Sequence, residues 1–413
     1  MRKKYFFHRK QILYKNPTPS IFYKAAPLSP HLHQNISYLP FHIPLNMRNI
    51  IHTENSSPKA GICIYFHKFV EIHQTYRTMK KVFFLLLCVF AALQAVHSQK
   101  LRVIYETDMG NDIDDAIALD VICKYMDEGK IDLLGVSTHK AGDNICPFVD
   151  AMLTWYGYPR VPIAKSPTPV ARPQDGNGYA DAVVKQTGSD GKPVYKRSKK
   201  EKDFTNSVEW YRKTLSKQPD NSVVIVSVGF GTNLALLLDS KPDKYSKLTG
   251  RELVAKKVRL LSTMMGDNEN SSHPEYNVIC DLEPMRKVMA EWPGEIVQNP
   301  FEVGIKVVYP SDILNSRLTW AENHPLVKAY NTYNPNPHNQ YMWDILSVVY
   351  LLHPEMFGIS ERGTVEVDNK GITRFRPSAE GKHRYLITTD EQNKALQDMI
   401  IGITERKPKN FKK

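Results

Sequence analysis

Cysteine is scarce in this chain: five in 413 residues, and beyond residue 98 only Cys123, Cys146 and Cys280. An odd and sparse count excludes a disulfide framework, and the spacing offers no zinc pattern, so stability has to come from an apolar core. Long hydrophobic runs are also missing. The most apolar stretch, Val82 to Leu93, is too short for the roughly 20 residues a membrane-spanning helix needs. Acids are nearly absent from the start, where residues 1–98 hold 13 Lys and Arg against Glu54 and Glu71. The remaining chain holds 42 basic and 41 acidic residues, so the formal charge of +12 belongs almost entirely to the first segment. A nucleic-acid-binding body with a basic face is thereby excluded, because the basic excess sits at the ends.

Met79-Lys80-Lys81, the apolar run and the small residues Ala95 and Ser98 have the three-part layout of a secretory signal peptide. Residues 79–98 are expected to direct export, with cleavage before Gln99, giving a periplasmic or secreted protein with no stable membrane insertion. Cys88 follows Leu87 rather than a small residue, which argues against a lipid anchor. A leader works at an amino terminus, so residues 1–78 are expected to be a disordered upstream extension that is not native, with translation starting at Met79. They carry no sustained helical or strand period. The expected domain covers 99–405, and 406–413 form a basic tail.

Within that domain short apolar runs alternate with helical periods. Strands are predicted at 101–105, 131–137, 223–228, 258–263 and near 302–308. Helices are predicted at 116–126, 148–155, 232–238, 283–290 and 345–352. The run Val223-Val-Ile-Val-Ser-Val228 reads as a strand buried on both faces. This order predicts an α/β fold: an open, mostly parallel, mixed sheet with helices on both faces. Residues 166–204 are rich in Pro, Gly, Asp and Lys. There, 173–182 is expected to form a lid and 196–202 a solvated basic stretch.

The chemistry concentrates in Glu106-Thr-Asp-Met-Gly-Asn-Asp-Ile-Asp-Asp115, five acids in ten residues between a strand and a helix. That is the carboxyl end of the first strand, where open α/β sheets bind ligands. Acids this dense repel unless a cation binds or some are protonated, and the helix start offsets only about 0.3–1 kcal/mol per charge. Oxygen donors of this kind suit calcium or magnesium. An EF-hand is excluded: counted from Asp108, the sixth residue is Ile113 instead of Gly and the twelfth Leu119 instead of Glu. A phosphatase of the Asp-x-Asp type is disfavoured by Glu106 at the nucleophile position.

Thr107-Asp-Met-Gly-Asn-Asp-Ile-Asp-Asp-Ala-Ile-Ala-Leu119 resembles the amino-terminal signature of the calcium-dependent, inosine–uridine-preferring nucleoside hydrolases, in a variant associated with exported bacterial members. Val228-Gly-Phe-Gly-Thr-Asn-Leu-Ala235, Glu275-Tyr-Asn-Val-Ile-Cys-Asp281 and Trp343-Asp344 resemble three further family segments, in the same order. The resemblance implies hydrolysis of the N-glycosidic bond of a ribonucleoside to base and ribose. Calcium would be held by Asp108, Asp115, Asp344 and the backbone carbonyl of Thr232. Asp114 would be the general base that takes a proton from the metal-bound water. Asn144, Glu275, Asn277 and one of Asn268 and Asn270 would hold the sugar, and Trp343 could stack on the base.

Trp343 replaces the His that some members place before the last metal-binding Asp. This leaves the leaving-group acid open, with His338 and Tyr341 as nearby candidates. The resemblance also implies a homo-oligomer, with a small-molecule ribonucleoside and no nucleic acid as partner. Two alternatives stand beside nucleoside hydrolysis: cleavage of another N-riboside or ribosyl conjugate, and calcium-dependent binding of a nucleoside or sugar without catalysis.

Overall fold

The computed structural model describes residues 79–84, 100–170, 178–270 and 272–409. Most of the expected leader, all of 1–78, the first half of the expected lid and the end of the basic tail lie outside the described residues. Residues 79–84 form a short helical segment of their own.

The rest is built on one mixed sheet. In chain order its strands are β1 (Leu101–Thr107), β2 (Ile131–Lys140), β3 (Ile163–Val170), β4 (Thr205–Asn206), β5 (Val223–Ser227), β6 (Val258–Met264) and β7 (Glu295–Asn299). A small separate ribbon pairs β8 (Val308–Tyr309) with β9 (Gln340–Tyr341). The sheet is completed by β10 (Gly358–Ile359), β11 (Gly363–Val367), β12 (Thr373–Pro377) and β13 (His383–Ile387). The spatial order is β12-β11-β13-β7-β6-β5-β1-β2-β3-β4, with β10 paired to β13. Strands from β13 to β4 run parallel, while β11 and β12 form an antiparallel hairpin at one edge.

Alternation along the strands sends side chains to two cores. Val103, Tyr105, Val224 and Val226 join one apolar cluster with helices 114–127, 145–155 and 390–404. Ile104, Val223 and Ile225 join the other, with helices 207–216, 232–239, 250–257 and 282–291. A sheet with both faces covered demands continuous apolar strands, which is why β5 reads Val-Val-Ile-Val-Ser. Cys123, Cys146 and Cys280 are buried and form no disulfide among the described residues.

One expected strand is not formed. Residues 302–308 are apolar enough to suggest it, yet the sheet takes Glu295–Asn299, and Pro300 then opens the short helix Phe301–Gly304. Proline fixes its own φ and lacks the ladder donor, so the strand cannot run through it.

The chain leaves β1 towards β2, β3 and β4, then returns to β5 on the other side of β1. The carboxyl ends of β1 and β5 therefore flank the switch point where such sheets leave a crevice. Gly229, just past β5, fits tightly there: a Cβ would lie 2.7 Å from Asp108 N and Oδ1 and 2.5 Å from His139 Nε2. Gly229→Ala is expected to cost about 1–3 kcal/mol by overpacking, seen as a lower melting temperature in thermal denaturation. A variant melting like the parent would show that this crevice is loosely packed.

Candidate active site

The acidic segment folds around its own turn. Thr107 ends β1, and its hydroxyl accepts from Met109 N at 3.0 Å and donates to Asp115 Oδ1. Gly110 has φ +103°, and a Cβ there would meet Ile145 Cδ1 at 2.4 Å, so only glycine serves. Tyr179 OH accepts from Gly110 N and donates to Asp112 O at 3.1 Å, closing the turn. Asp114 and Asp115 are the first two residues of helix 114–127, where the helix dipole favours negative charge.

Beneath the turn, Glu106 is fully buried and turned away from the crevice. It accepts from Tyr211 OH at 3.0 Å and Ser227 Oγ at 3.1 Å, and burial pushes its carboxyl up to about 8. His139 Nε2 accepts from Phe230 N at 2.9 Å, and burial lowers this imidazole to about 3. It is therefore neutral, with its proton on Nδ1, 4.0 Å from Glu106 Oε1. The Phe230–His139 hydrogen bond ties the end of β2 to the segment after β5 under the site.

Above it lies a cavity of about 400 Å³. Asp108, Asp114, Asp115 and Asp344 border it together with Asn111, Asp112, Val228 and Met264. His273, Glu275, Tyr276, Asn277, Phe301, Tyr333 and Trp343 complete its wall. Asp344 comes from helix 343–349, and its backbone N–H donates to Asp114 Oδ2 at 3.1 Å across 230 residues of sequence. The four aspartates are at most 5 % exposed. Burial, then Asp112, Asp344 and one another's charge, raise their carboxyls, Asp108 to about 7 against the opposing pull of Lys140.

Asp108 Oδ2 is buried without a hydrogen-bond partner among the described residues. Among those residues no group of three His, Cys, Asp or Glu side chains stands in ready-made metal geometry. The fit to a hard cation rests instead on the donor set: carboxylates crowded at a helix start, one oxygen unsatisfied, and no cysteine among the lining residues.

Glu275 and Asn277 reach the cavity as expected from the sequence. Glu275 accepts from Gly266 N at 3.0 Å, Asn277 N at 2.9 Å and Val278 N at 3.3 Å. The Asn277 amide donates to Val228 O at 3.4 Å and Met264 O at 3.2 Å. Trp343 also lines the wall, stacked on Phe301 at 5.4 Å and 25°, its indole N–H donated to Phe301 O at 3.0 Å.

Three expected residues stand elsewhere. Thr232 begins helix 232–239, so its carbonyl points into the helix's own ladder, and its hydroxyl donates to Asp281 Oδ2 at 2.6 Å. It borders a different and larger concavity, about 1250 Å³, an open groove along helix 282–291 that contains none of the four aspartates. The residue after β5 that does line the cavity is Val228. Asn144 is carried by the turn after β2 to the start of helix 145–155, where its amide donates to Asp181 Oδ1 at 2.8 Å. Asn268 is held by Glu302 and Gln298 and does not border the cavity, nor does Asn270.

Sequence reasoning passed over His273, Tyr276, Phe301 and Tyr333. Only the first two gave a signal, lying inside or just before the Glu275–Asp281 segment. Tyr333 OH donates to Asp112 Oδ1 at 2.7 Å.

The sheet order and this cavity define a nucleoside-hydrolase type of α/β protein, and comparison with known proteins agrees. The family described as inosine-uridine preferring nucleoside hydrolase matches residues 103–405, and the chain belongs to it. A pyrimidine-specific ribonucleoside hydrolase of Citrobacter koseri is 28 % identical over 297 residues, 66 % of this chain and 85 % of the relative. The structure of an inosine-uridine preferring nucleoside hydrolase from Bacillus anthracis superposes with TM-score 0.56 at 16 % identity, covering 74 % of this chain and 99 % of that one. A purine-preferring ribonucleoside hydrolase from Gardnerella vaginalis gives 0.54 at 15 % identity, covering 74 % and 99 %. The chain is thus a nucleoside hydrolase by family, a hydrolase acting on N-glycosyl bonds.

Raised carboxyls carry a pH signature. The neutral forms are favoured inside the fold, so their stabilisation is complete below about pH 4. It is lost as pH rises through about 7 for Asp108 and about 8 for Glu106. A cation pairing with the ionised cluster opposes that loss. Added calcium is expected to raise the melting temperature more at pH 8 than at pH 5, and equal shifts would dissociate the cation from this cluster.

Proposed function

We propose that this cavity hydrolyses ribonucleosides with Asp114 as general base beside a bound calcium ion. The observation that carries the reading is the meeting of Asp108, Asp114, Asp115 and Asp344, from opposite ends of the domain, in one buried crevice at the switch point. Asp108, Asp115 and Asp344 would hold the ion, with the carbonyl of Val228 in the place first given to Thr232. When bound, the ion acidifies a water molecule and anchors sugar hydroxyls.

Successive residues at a helix start leave the axis about 100° apart. Asp115 therefore faces the ligand set through Thr107, while Asp114 is fixed by the Asp344 N–H in one orientation. A base so held takes its proton from the attacking water without first reorganising. Water adds at the anomeric carbon as the glycosidic bond breaks through an oxocarbenium-like state. Glu275 and Asn277, fixed to the backbone at both ends of their loop, offer the hydroxyl partners. With the reading of 79–98 as an export leader, this hydrolysis takes place in the periplasm or outside the cell.

Asp114→Asn is expected to lower kcat on ribonucleosides by about 10²–10⁴-fold, while calorimetry finds calcium affinity within a few-fold of the parent. Parental turnover in that variant removes Asp114 as the base. A panel of purine, pyrimidine and nicotinamide ribosides, with and without chelator, identifies the base and the need for metal together.

A further inference from the structure

Breaking a glycosidic bond leaves its electron pair on the base, which departs poorly unless a proton arrives as the bond opens. The floor of the cavity cannot supply it, since one carboxylate there takes a proton and the others serve the cation. Trp343 has committed its N–H to Phe301 O. His338 stacks on Tyr330 with centroids 4.4 Å apart and, like Tyr341, does not border the cavity. Tyr333 donates its hydroxyl to Asp112.

Among the described residues, the imidazole that does border the cavity is His273. Its Nδ1 lies 2.8 Å from Asp267 Oδ2, so Nε2 is the nitrogen left to meet a ligand. Asp267 is buried, and its other oxygen accepts from Glu269 N at 3.1 Å and Asn270 N at 2.8 Å, which fixes the carboxylate. The His273 ring packs edge-on against Phe301 at 4.5 Å, and Phe301 stacks on Trp343, making an aromatic strip up one wall.

Depth orders the two halves of a substrate. The aspartates are at most 5 % exposed, whereas the His273 side chain is 32 % exposed. Sugar hydroxyls belong with the carboxylates and Asn277 at the floor, and a planar base against the strip near the mouth. The charged groups around His273 are Asp267 in contact, Glu275 two residues on, Glu302 beside Phe301, and Glu269 paired with Lys306. Their balance is acidic.

We propose that His273, oriented by Asp267, donates the proton that lets the base depart; this rests on reading the cavity as a ribonucleoside site. The bond from the anomeric carbon to the base nitrogen breaks and its electron pair goes to the base. The Nε2 proton of His273 passes to the base, water oxygen bonds to the anomeric carbon, and the water's proton goes to Asp114. Ribose and neutral base leave, and solvent returns the proton from Asp114 to His273.

The test compares two leaving groups in the full chain loaded with calcium: uridine or inosine, and 4-nitrophenyl riboside, whose nitrophenolate departs without a proton. His273→Gln is expected to lower kcat on nucleosides by about 100-fold or more and on the nitrophenyl riboside by less than about threefold. Asp267→Asn should show the same selectivity with a smaller loss. Retained nitrophenyl cleavage also reports a folded site. His273→Phe, which keeps the packing on Phe301, is the second variant if His273→Gln does not fold. Equal losses on both substrates, or no loss on nucleosides, overturn His273 as the acid. A parent enzyme that cleaves the nitrophenyl riboside but no nucleoside overturns instead the ribonucleoside reading on which the proposal stands.

Discussion

Mutual repulsion among four buried aspartates is the constraint around which this molecule is arranged. Two carboxylates 4 Å apart repel by about 4 kcal/mol at an effective dielectric of 20, well beyond the ~0.3–1 kcal/mol a helix start returns per charge. Their side chains nonetheless face one crevice because the sheet leaves them no alternative. β1 and β5 are buried on both faces, the chain reverses its winding between them, and Asp108 follows β1 directly. The packed sheet therefore holds four carboxyls close together, and the Thr107, Tyr179 and His139 contacts fix the turn and strand ends that carry them.

Much of this was legible in the sequence because the sheet demands continuous apolar strands and the turn demands Gly110 between acids. What was not legible depended on direction in space. The Val228-to-Ala235 segment was recognised, but the residue that offers itself to the cavity is its first, at the strand end, while Thr232 is already inside a helix. Asn144 and Asn268 were displaced by local turns whose geometry a string of residues does not reveal. The strand expected near 302–308 had the right composition, and a single proline moved it one element earlier. The hairpin β11–β12 and helix 390–404 gave no sign of their place, since edge pairing is decided by partners far away in sequence.

The cavity is also divided by chemistry. Its floor is carboxylate and amide, suited to hydroxyls and a cation, and its upper wall is the Trp343–Phe301–His273 strip, suited to a flat heterocycle. Gly304 makes that strip possible, because a Cβ there would lie 2.0 Å from Trp343 Cδ1. A site divided in this way can change its aromatic wall without disturbing the carboxyls at its floor.

The hydrogen bond from Asp344 to Asp114 spans 230 residues. Closing a loop of that length costs chain entropy that the other contacts of the domain must offset. A chain that ends before residue 344 therefore lacks the backbone N–H that orients Asp114, however complete its first strand and helix are.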